Sequence, residues 1–192
     1  MTALDPREAA RLFEESGAML RGHFRLTSGR HSDVYVQKAR VLERPEVAVA
    51  LAGEIASWYP RVDVVVAPAV GAITLGFAVA LEAGARSIFA EREDGRMRLR
   101  RGFWVASDER ALVVEDVITT GGSAKEVVDL VRETGAETMG VAALIDRSTE
   151  PLPFPLKALL RVDAPTWEAD RCPLCAAAAP IGAPGSRYVR GA

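Results

Sequence analysis

The chain predicts an α/β domain with a central parallel sheet flanked by helices. Residues 64–67, 111–114 and 139–145 are apolar without polar alternation, as in strands covered on both faces of a parallel sheet. The segments between them carry apolar residues at helical spacing, and strands alternating with helices build this class of domain.

In chain order, Asp5 and Pro6 read as N-cap and first helical residue, with Glu8 completing a capping box and Leu12 and Phe13 facing inward before Gly17. Residues 22–36 are dense in hydroxyls and bases around a Ser28-Gly29 turn and end in an alternating strand, which reads as a polar hairpin. Pro45 opens a helix with a stripe of Ala48, Leu51, Ile55 and Trp58. The strand at 63–67 then delivers the small-residue loop Pro68, Ala69, Val70, Gly71 and Ala72 to the sheet edge, before a helix through Leu75, Val79 and Leu81.

A third strand at 87–90 leads into residues 91–102, where five arginines outnumber three acids. That stretch is too polar for a core strand and reads as a mobile hairpin. After the strand at 139–145 come Asp146 and Arg147. The segment from Pro151 onward offers an edge strand at 156–162 and no firm reading beyond it.

The centre of the chain is 111–123. Four apolar residues precede Glu115 and Asp116, then a hydroxyl- and glycine-rich turn, then a helix in which Ser123 and Glu126 form a capping box and Ala124, Val127, Val128 and Val131 face inward before Gly135. A helix N-terminus offers free N–H groups and a positive dipole end to an anion, and Gly121 and Gly122 allow close backbone approach to a phosphate. Thr119, Thr120 and Ser123 add hydroxyl donors. Carboxylates repel phosphate, so Glu115 and Asp116 must serve another part of the ligand, and vicinal hydroxyls are the natural partner. A ligand with hydroxyls at one end and phosphate at the other is a ribose 5-phosphate. Neither the P-loop nor the dinucleotide pattern is present.

Composition narrows the classes. The chain has 192 residues, 49% of them hydrophobic, enough for one substantial core. Lys plus Arg number 24 against 26 Asp plus Glu, a net charge of -2 that argues against a nucleic-acid partner bound by bulk charge. There is no signal-like amino terminus and no long apolar run, so no membrane partner is expected and a cytoplasmic location is the default. Cys172 and Cys175 form a single C-x-x-C, read first as structural or incidental thiols. Such a pair supplies half of a structural zinc site, whose other ligands would have to come from elsewhere in the chain or from a second subunit.

At 111–123 the chain resembles the type I phosphoribosyltransferases, whose signature for 5-phosphoribosyl 1-diphosphate is a hydrophobic strand, two acids, two further residues, Thr, a small residue and Gly. Residues 22–35 narrow the resemblance to the orotate phosphoribosyltransferases, which carry a similar F-x-L-x-S-G-R-x-S-x-x-Y run. The resemblance implies the type I phosphoribosyltransferase fold in one domain: a core of about 45–162 and a small N-terminal hood from about 1–40, to which the C-terminal tail can add. It implies transfer of phosphoribosyl to orotate in pyrimidine synthesis, with Mg²⁺ held mainly through the substrate rather than by direct protein ligands. Glu115, Asp116, Arg92 and Arg96 are the expected catalytic residues. Val117, Ile118, Thr119, Thr120, Gly121, Gly122, Ser123, Ala69, Val70 and Gly71 would bind 5-phosphoribosyl 1-diphosphate with Glu115, Asp116 and Arg92. Thr119, Arg147, Tyr35 and Ser28 would bind orotate.

Adjacent strand residues point to opposite faces, so both acids engage only if the strand has ended by Asp116; otherwise one acts from behind the other. Where the family loop carries lysines and a histidine, this chain has arginines, Arg92 standing nearest the first Lys. A homodimer is expected, with loop 91–102 reaching the partner's site. Two other readings share the central motif: a transferase for a different base, and a regulator that senses 5-phosphoribosyl 1-diphosphate without turnover.

Overall fold

The computed structural model describes residues 6–26 and 29–182. Among these residues the elements run α1 (Pro6–Glu15), β1 (Met19–Arg25), β2 (His31–Val36), α2 (Ala39–Leu42), α3 (Pro45–Ser57), β3 (Val64–Pro68), α4 (Ile73–Ala83), β4 (Arg86–Glu93), β5 (Arg96–Leu99), β6 (Arg110–Ile118), α5 (Gly122–Glu133), β7 (Glu137–Asp146), β8 (Leu156–Arg161), β9 (Thr166–Trp167), α6 (Pro173–Ala176) and β10 (Ile181–Gly182). They cluster into two compact units, one built mainly on Leu42–Val162, the other on Arg11–Val41 with the segment from Asp163 onward. No helix among the described residues is long and apolar enough to cross a membrane.

The larger unit holds a six-stranded sheet in the order β5-β4-β3-β6-β7-β8. Every neighbouring pair is parallel except β4 and β5, so the predicted parallel sheet is present with one antiparallel edge strand. Val64, Val65 and Val66 of β3 and residues 111–114 of β6 are fully buried, which is why these strands show no polar alternation. Val113 of β6 packs with Val127, Val128 and Val131 of α5 in the main core. Helix α4 lies so close to β3 that a Cβ on Gly76 would sit 2.8 Å from the Ala67 Cβ.

At the amino edge, Asp63 ties three strands together. Its carboxylate accepts hydrogen bonds from the Arg110 backbone N–H (2.8 Å) and guanidinium (3.0 and 3.1 Å), and its carbonyl accepts from the Arg86 N–H at 3.0 Å. The chain runs outward from β3 to β4 and β5, then returns to the other side of β3 as β6. Strand order therefore reverses between β3 and β6, the place where open α/β sheets bind ligands beyond their carboxyl ends.

Several local expectations change. Leu81 and Phe77 on α4 are 60% and 62% exposed, so the helix turns a second apolar face outward. Trp58 is half-buried just past α3, its Nε1 donating to Glu54 at 2.9 Å. Strand β4 runs on through Glu93, so the first arginine of the charged stretch is a strand residue and only the turn at Asp94 and Gly95 separates β4 from β5. The expected edge strand is β8. Pro6 begins α1 and Phe13 is fully buried; the capping box of Asp5 and Glu8 lies outside the described residues.

The second unit is a four-stranded sheet in the order β10-β1-β2-β9. Strands β1 and β2 form the predicted antiparallel hairpin, with an irregularity between Arg21 and Phe24. The tail closes on this hairpin, β10 pairing with β1 and β9 with β2. Arg30 donates to the Thr166 hydroxyl (3.0 Å) and carbonyl (2.8 Å), and the buried Ser32 hydroxyl donates to the Pro165 carbonyl at 3.0 Å.

Candidate functional site

Strand β6 carries Glu115 and Asp116 toward the carboxyl edge but does not end there; it continues to Ile118. The two acids therefore differ. Glu115 is half-buried and lines a cavity of about 70 Å³ with Val117, Ile118, Thr119, Thr120 and the start of α5. Asp116 is 2% exposed and points away from that lining. Both carboxylates brace the backbone: Glu115 Oε1 accepts the Asp116 N–H at 3.0 Å, and Asp116 Oδ1 accepts the Val117 N–H at 2.7 Å.

Helix α5 starts at Gly122, one residue before the predicted cap, and its N-cap is Gly121 in the left-handed conformation (φ 72°). No side chain caps it, so the capping box of Ser123 and Glu126 is not formed. The first bond of the helix runs from Lys125 N–H to the Gly121 carbonyl at 2.8 Å, which leaves the N–H groups of Gly122, Ser123 and Ala124 ahead of it, at the positive end of the dipole. Gly121 is demanded twice. Its φ disfavours a side chain, and a Cβ there would meet Leu152 Cδ2 at 2.8 Å and Phe154 Cζ at 3.0 Å.

Two neighbouring loops share this edge because β3 and β7 flank β6. After β3, the Ala69-Val70 peptide is cis, the Ala69 N–H donates to the Ala90 carbonyl at 2.8 Å, and Val70 is 82% exposed. After β7, the Arg147 N–H donates to the Ile118 carbonyl at 2.8 Å, tying the ends of β7 and β6 together. Asp146 does not pair with the adjacent Arg147. Its carboxylate accepts from Arg161 at 2.5 Å and from the Ser148 N–H (2.8 Å) and hydroxyl (2.7 Å). The Arg147 guanidinium is half-buried and makes no hydrogen bond or ion pair with any described residue. Burial without a counter-charge pushes its pKa down.

The β4–β5 hairpin is pinned by its own acids and by one on α5. Arg92 donates to both oxygens of Glu126 on α5 (2.8 and 3.1 Å), and Glu126 also accepts the Met97 N–H at 3.1 Å. Arg101 forks onto Glu91 at 2.7 and 2.9 Å, while Arg98 and Arg100 both face Glu93. Arg96 is exposed and is the one hairpin arginine without a hydrogen-bond or ion-pair partner among the described residues. It lines a cavity of about 270 Å³ with Arg98, Glu126 and Asp129.

Thus the structure brings residues 69–71, 115–123 and 147 to one sheet edge. Arg92 and Arg96 do not line the β6 cavity. Tyr35 lies on β2 in the second unit, its ring centroid 5.8 Å from that of Phe24, and Ser28 lies outside the described residues. The parts played by Glu126 and Arg161 have no local sequence signal, since their partners are 34 and 15 residues away.

Residues 42–167 match the model of the phosphoribosyl transferase domain. The chain is 48% identical over 183 residues to an orotate phosphoribosyltransferase of Caldicellulosiruptor saccharolyticus, covering 93% of this chain and 96% of that relative. It is 43% identical over 188 residues to one from Caldanaerobacter subterraneus, covering 96% and 99%. The solved orotate phosphoribosyltransferase of Aeropyrum pernix superposes with a TM-score of 0.66 at 25% identity, covering 80% of this chain and 93% of that one. With an acid-led, glycine-rich turn at the switch point of its sheet and relatives aligned over nearly its whole length, the chain belongs to the orotate phosphoribosyltransferase family.

Proposed function

We propose that the chain transfers phosphoribosyl from 5-phosphoribosyl 1-diphosphate to orotate, giving orotidine 5′-monophosphate and diphosphate in pyrimidine synthesis. The observation that carries the choice of base is Arg147, a half-buried guanidinium with no counter-charge among the described residues, beside the β6 turn. A planar fork of donors suits the carboxylate of orotate, and a bound anion would supply the missing partner.

In this reading the N–H groups of Gly122, Ser123 and Ala124, with the hydroxyls of Thr119, Thr120 and Ser123, hold the 5′-phosphate. The cavity of about 70 Å³ has room for that group and not for a whole nucleotide. Glu115 accepts hydrogen bonds from the ribose hydroxyls. As the bond from C1 to the diphosphate breaks, positive charge grows on the ring, and Glu115 in front with Asp116 behind it favour that charge. Residues 69–71 offer backbone to the diphosphate. Arg96, which makes no ion pair among the described residues, is the hairpin arginine assigned to neutralise the leaving group; Arg92 becomes available for the same task only when it leaves Glu126. Thr119 is assigned to the base. Orotate is already anionic, so no strong general base is required.

The donor set fits a Mg²⁺ ion held mainly by substrate. Glu115 offers one carboxylate to the cavity, and the remaining lining is N–H groups, hydroxyls and apolar side chains rather than the further carboxylates of an all-protein cage. Bound with the diphosphate, the ion supplies Lewis-acid neutralisation of the leaving group.

A homodimer is part of the proposal, with hairpin 91–102 serving the partner's site. Its support is the exposure of Phe77 and Leu81 on α4, which with Ile73 and Phe89 line an apolar cavity of about 430 Å³. A cytoplasmic location accords with the absence of a membrane-crossing helix among the described residues.

The test is the fall in orotate absorbance on mixing the protein with orotate, 5-phosphoribosyl 1-diphosphate and Mg²⁺, with adenine, hypoxanthine and uracil in parallel. Orotate consumption that stops when Mg²⁺ is chelated supports the proposal. Turnover with another base alone would overturn the role of Arg147, and binding without turnover of any base would make the chain a sensor.

A further inference from the structure

We propose that His23, His31, Cys172 and Cys175 bind a structural zinc ion that locks the tail onto the β1–β2 hairpin. The four donor atoms come from β1, β2 and the start of α6, and all lie within 4.8 Å of one another. His23 Nε2 is 3.0 Å from His31 Nδ1, 3.6 Å from Cys172 Sγ and 3.7 Å from Cys175 Sγ, and Cys175 Sγ is 3.3 Å from His31 Nδ1. A tetrahedral zinc ion with N and S ligands separates its donors by about 3.3–3.8 Å, given bonds of roughly 2.0 and 2.3 Å. The cluster therefore has nearly the dimensions of a closed site, with converging donors.

The surroundings support the same reading. His23 Nδ1 lies 2.9 Å from the Ala179 carbonyl, which only accepts, so Nδ1 carries the proton and Nε2 turns its lone pair into the cluster. A backbone carbonyl fixing the tautomer in this way is the usual outer support of a metal-bound imidazole. His23, His31 and Cys172 are buried, at 5%, 5% and 3% exposure, while Cys175 closes the site at the surface. Two thiolates and two neutral imidazoles around a doubly charged cation leave no net charge, which suits burial. Four protein ligands leave no open position, so the ion would hold structure rather than activate water. The tail strands it would hold are short: β9 and β10 are two residues each, and pairings of that length gain much from a cross-link.

The test uses the full chain purified under reducing conditions, with metal content measured by mass spectrometry and Co²⁺ uptake by the metal-free protein followed in the visible spectrum. Expected are about one zinc per chain and, for cobalt, intense tetrahedral bands with thiolate charge transfer. In Cys175→Ser, altered at the exposed corner, zinc content should fall at least about tenfold and the thiolate band should weaken. Wild-type protein that holds no zinc, takes none from a zinc buffer and gives no tetrahedral cobalt spectrum would overturn the proposal, as would a Cys172–Cys175 disulfide in its place. Unchanged zinc in both Cys175→Ser and Cys172→Ser would also overturn it. Because the wild-type spectrum decides the matter alone, a variant that fails to fold leaves the test intact, and none of these readouts depends on orotate turnover.

Discussion

Glu126, on the second turn of α5, holds Arg92 of the charged hairpin through two hydrogen bonds of 2.8 and 3.1 Å. The same carboxylate accepts the Met97 N–H at 3.1 Å, so one side chain fixes both strands of the hairpin to the helix that forms the phosphate turn. Glu126→Gln should loosen the hairpin while costing no more than about 1 kcal/mol of global stability, as befits a partly exposed pair. Hydrogen exchange is the measurement: faster exchange at Met97, with the β6 and β7 amides unchanged, is expected.

Arg147→Ala should raise KM for orotate by roughly 10- to 100-fold, the worth of a charge-assisted hydrogen bond, and leave KM for 5-phosphoribosyl 1-diphosphate within about twofold. Arg147→Lys should recover little, because an ammonium cannot present the paired donors of a guanidinium. Initial rates with each substrate varied in turn check both.

Among the hairpin arginines, Arg96→Ala should lower kcat by at least roughly tenfold, about 1.4 kcal/mol of transition-state stabilisation. Arg98→Ala, whose guanidinium already faces Glu93 at 3.5 Å, should stay within about twofold. Equal losses in the two variants would remove Arg96 from its assigned role.

Gly121→Ala places a Cβ against Leu152 and Phe154 at a backbone with φ 72°. A stability loss of more than about 1 kcal/mol is expected, with weaker binding of 5-phosphoribosyl 1-diphosphate as the turn shifts. Thermal melts with and without that ligand separate the two effects: the variant should melt lower and gain less from the ligand.

Asp63 titrates below the usual carboxylate value of 3.8 because the Arg110 guanidinium and backbone N–H hydrogen-bond to its charged form. Its folded pKa is depressed, so its contribution is fully present above pH 3.8 and fades as pH falls through the lower folded value. Asp63→Asn should therefore be less stable than the parent at neutral pH, with the gap narrowing in acid. Urea melts at neutral and acid pH give the comparison.

The order of strands and helices in the larger unit was legible because each depends on neighbours in sequence. Apolar runs at 64–67 and 111–114 announce buried strands, Pro45 announces a helix start, and the residues after Ile118 announce a tight turn at a helix N-terminus. The same local reasoning misassigned Glu126. A Glu three residues after a Ser satisfies the capping pattern, but the helix is capped two residues earlier, on a left-handed Gly121, and Arg92 offers the carboxylate a charged partner instead. The helix through Leu75, Val79 and Leu81 is present as α4, but which of the three is covered depends on packing: Leu75 and Val79 are buried and Leu81 is turned outward.

By itself, then, the sequence determined the succession of elements and the chemistry of the β6 turn, since hydrophobic period, glycine placement and hydroxyl content act within a few residues. Only the tertiary structure decided which charges remain unmatched. Among the described residues the Arg147 guanidinium has no partner, while β8, paired in register with β7, brings Arg161 to Asp146. Two histidines of an ordinary-looking hairpin meet a lone C-x-x-C because β9 and β10 fold the tail back onto β2 and β1, joining residues 149 and 144 positions apart. Sheet register sets such meetings, and register is settled by the packing of the whole chain rather than by any one segment of it.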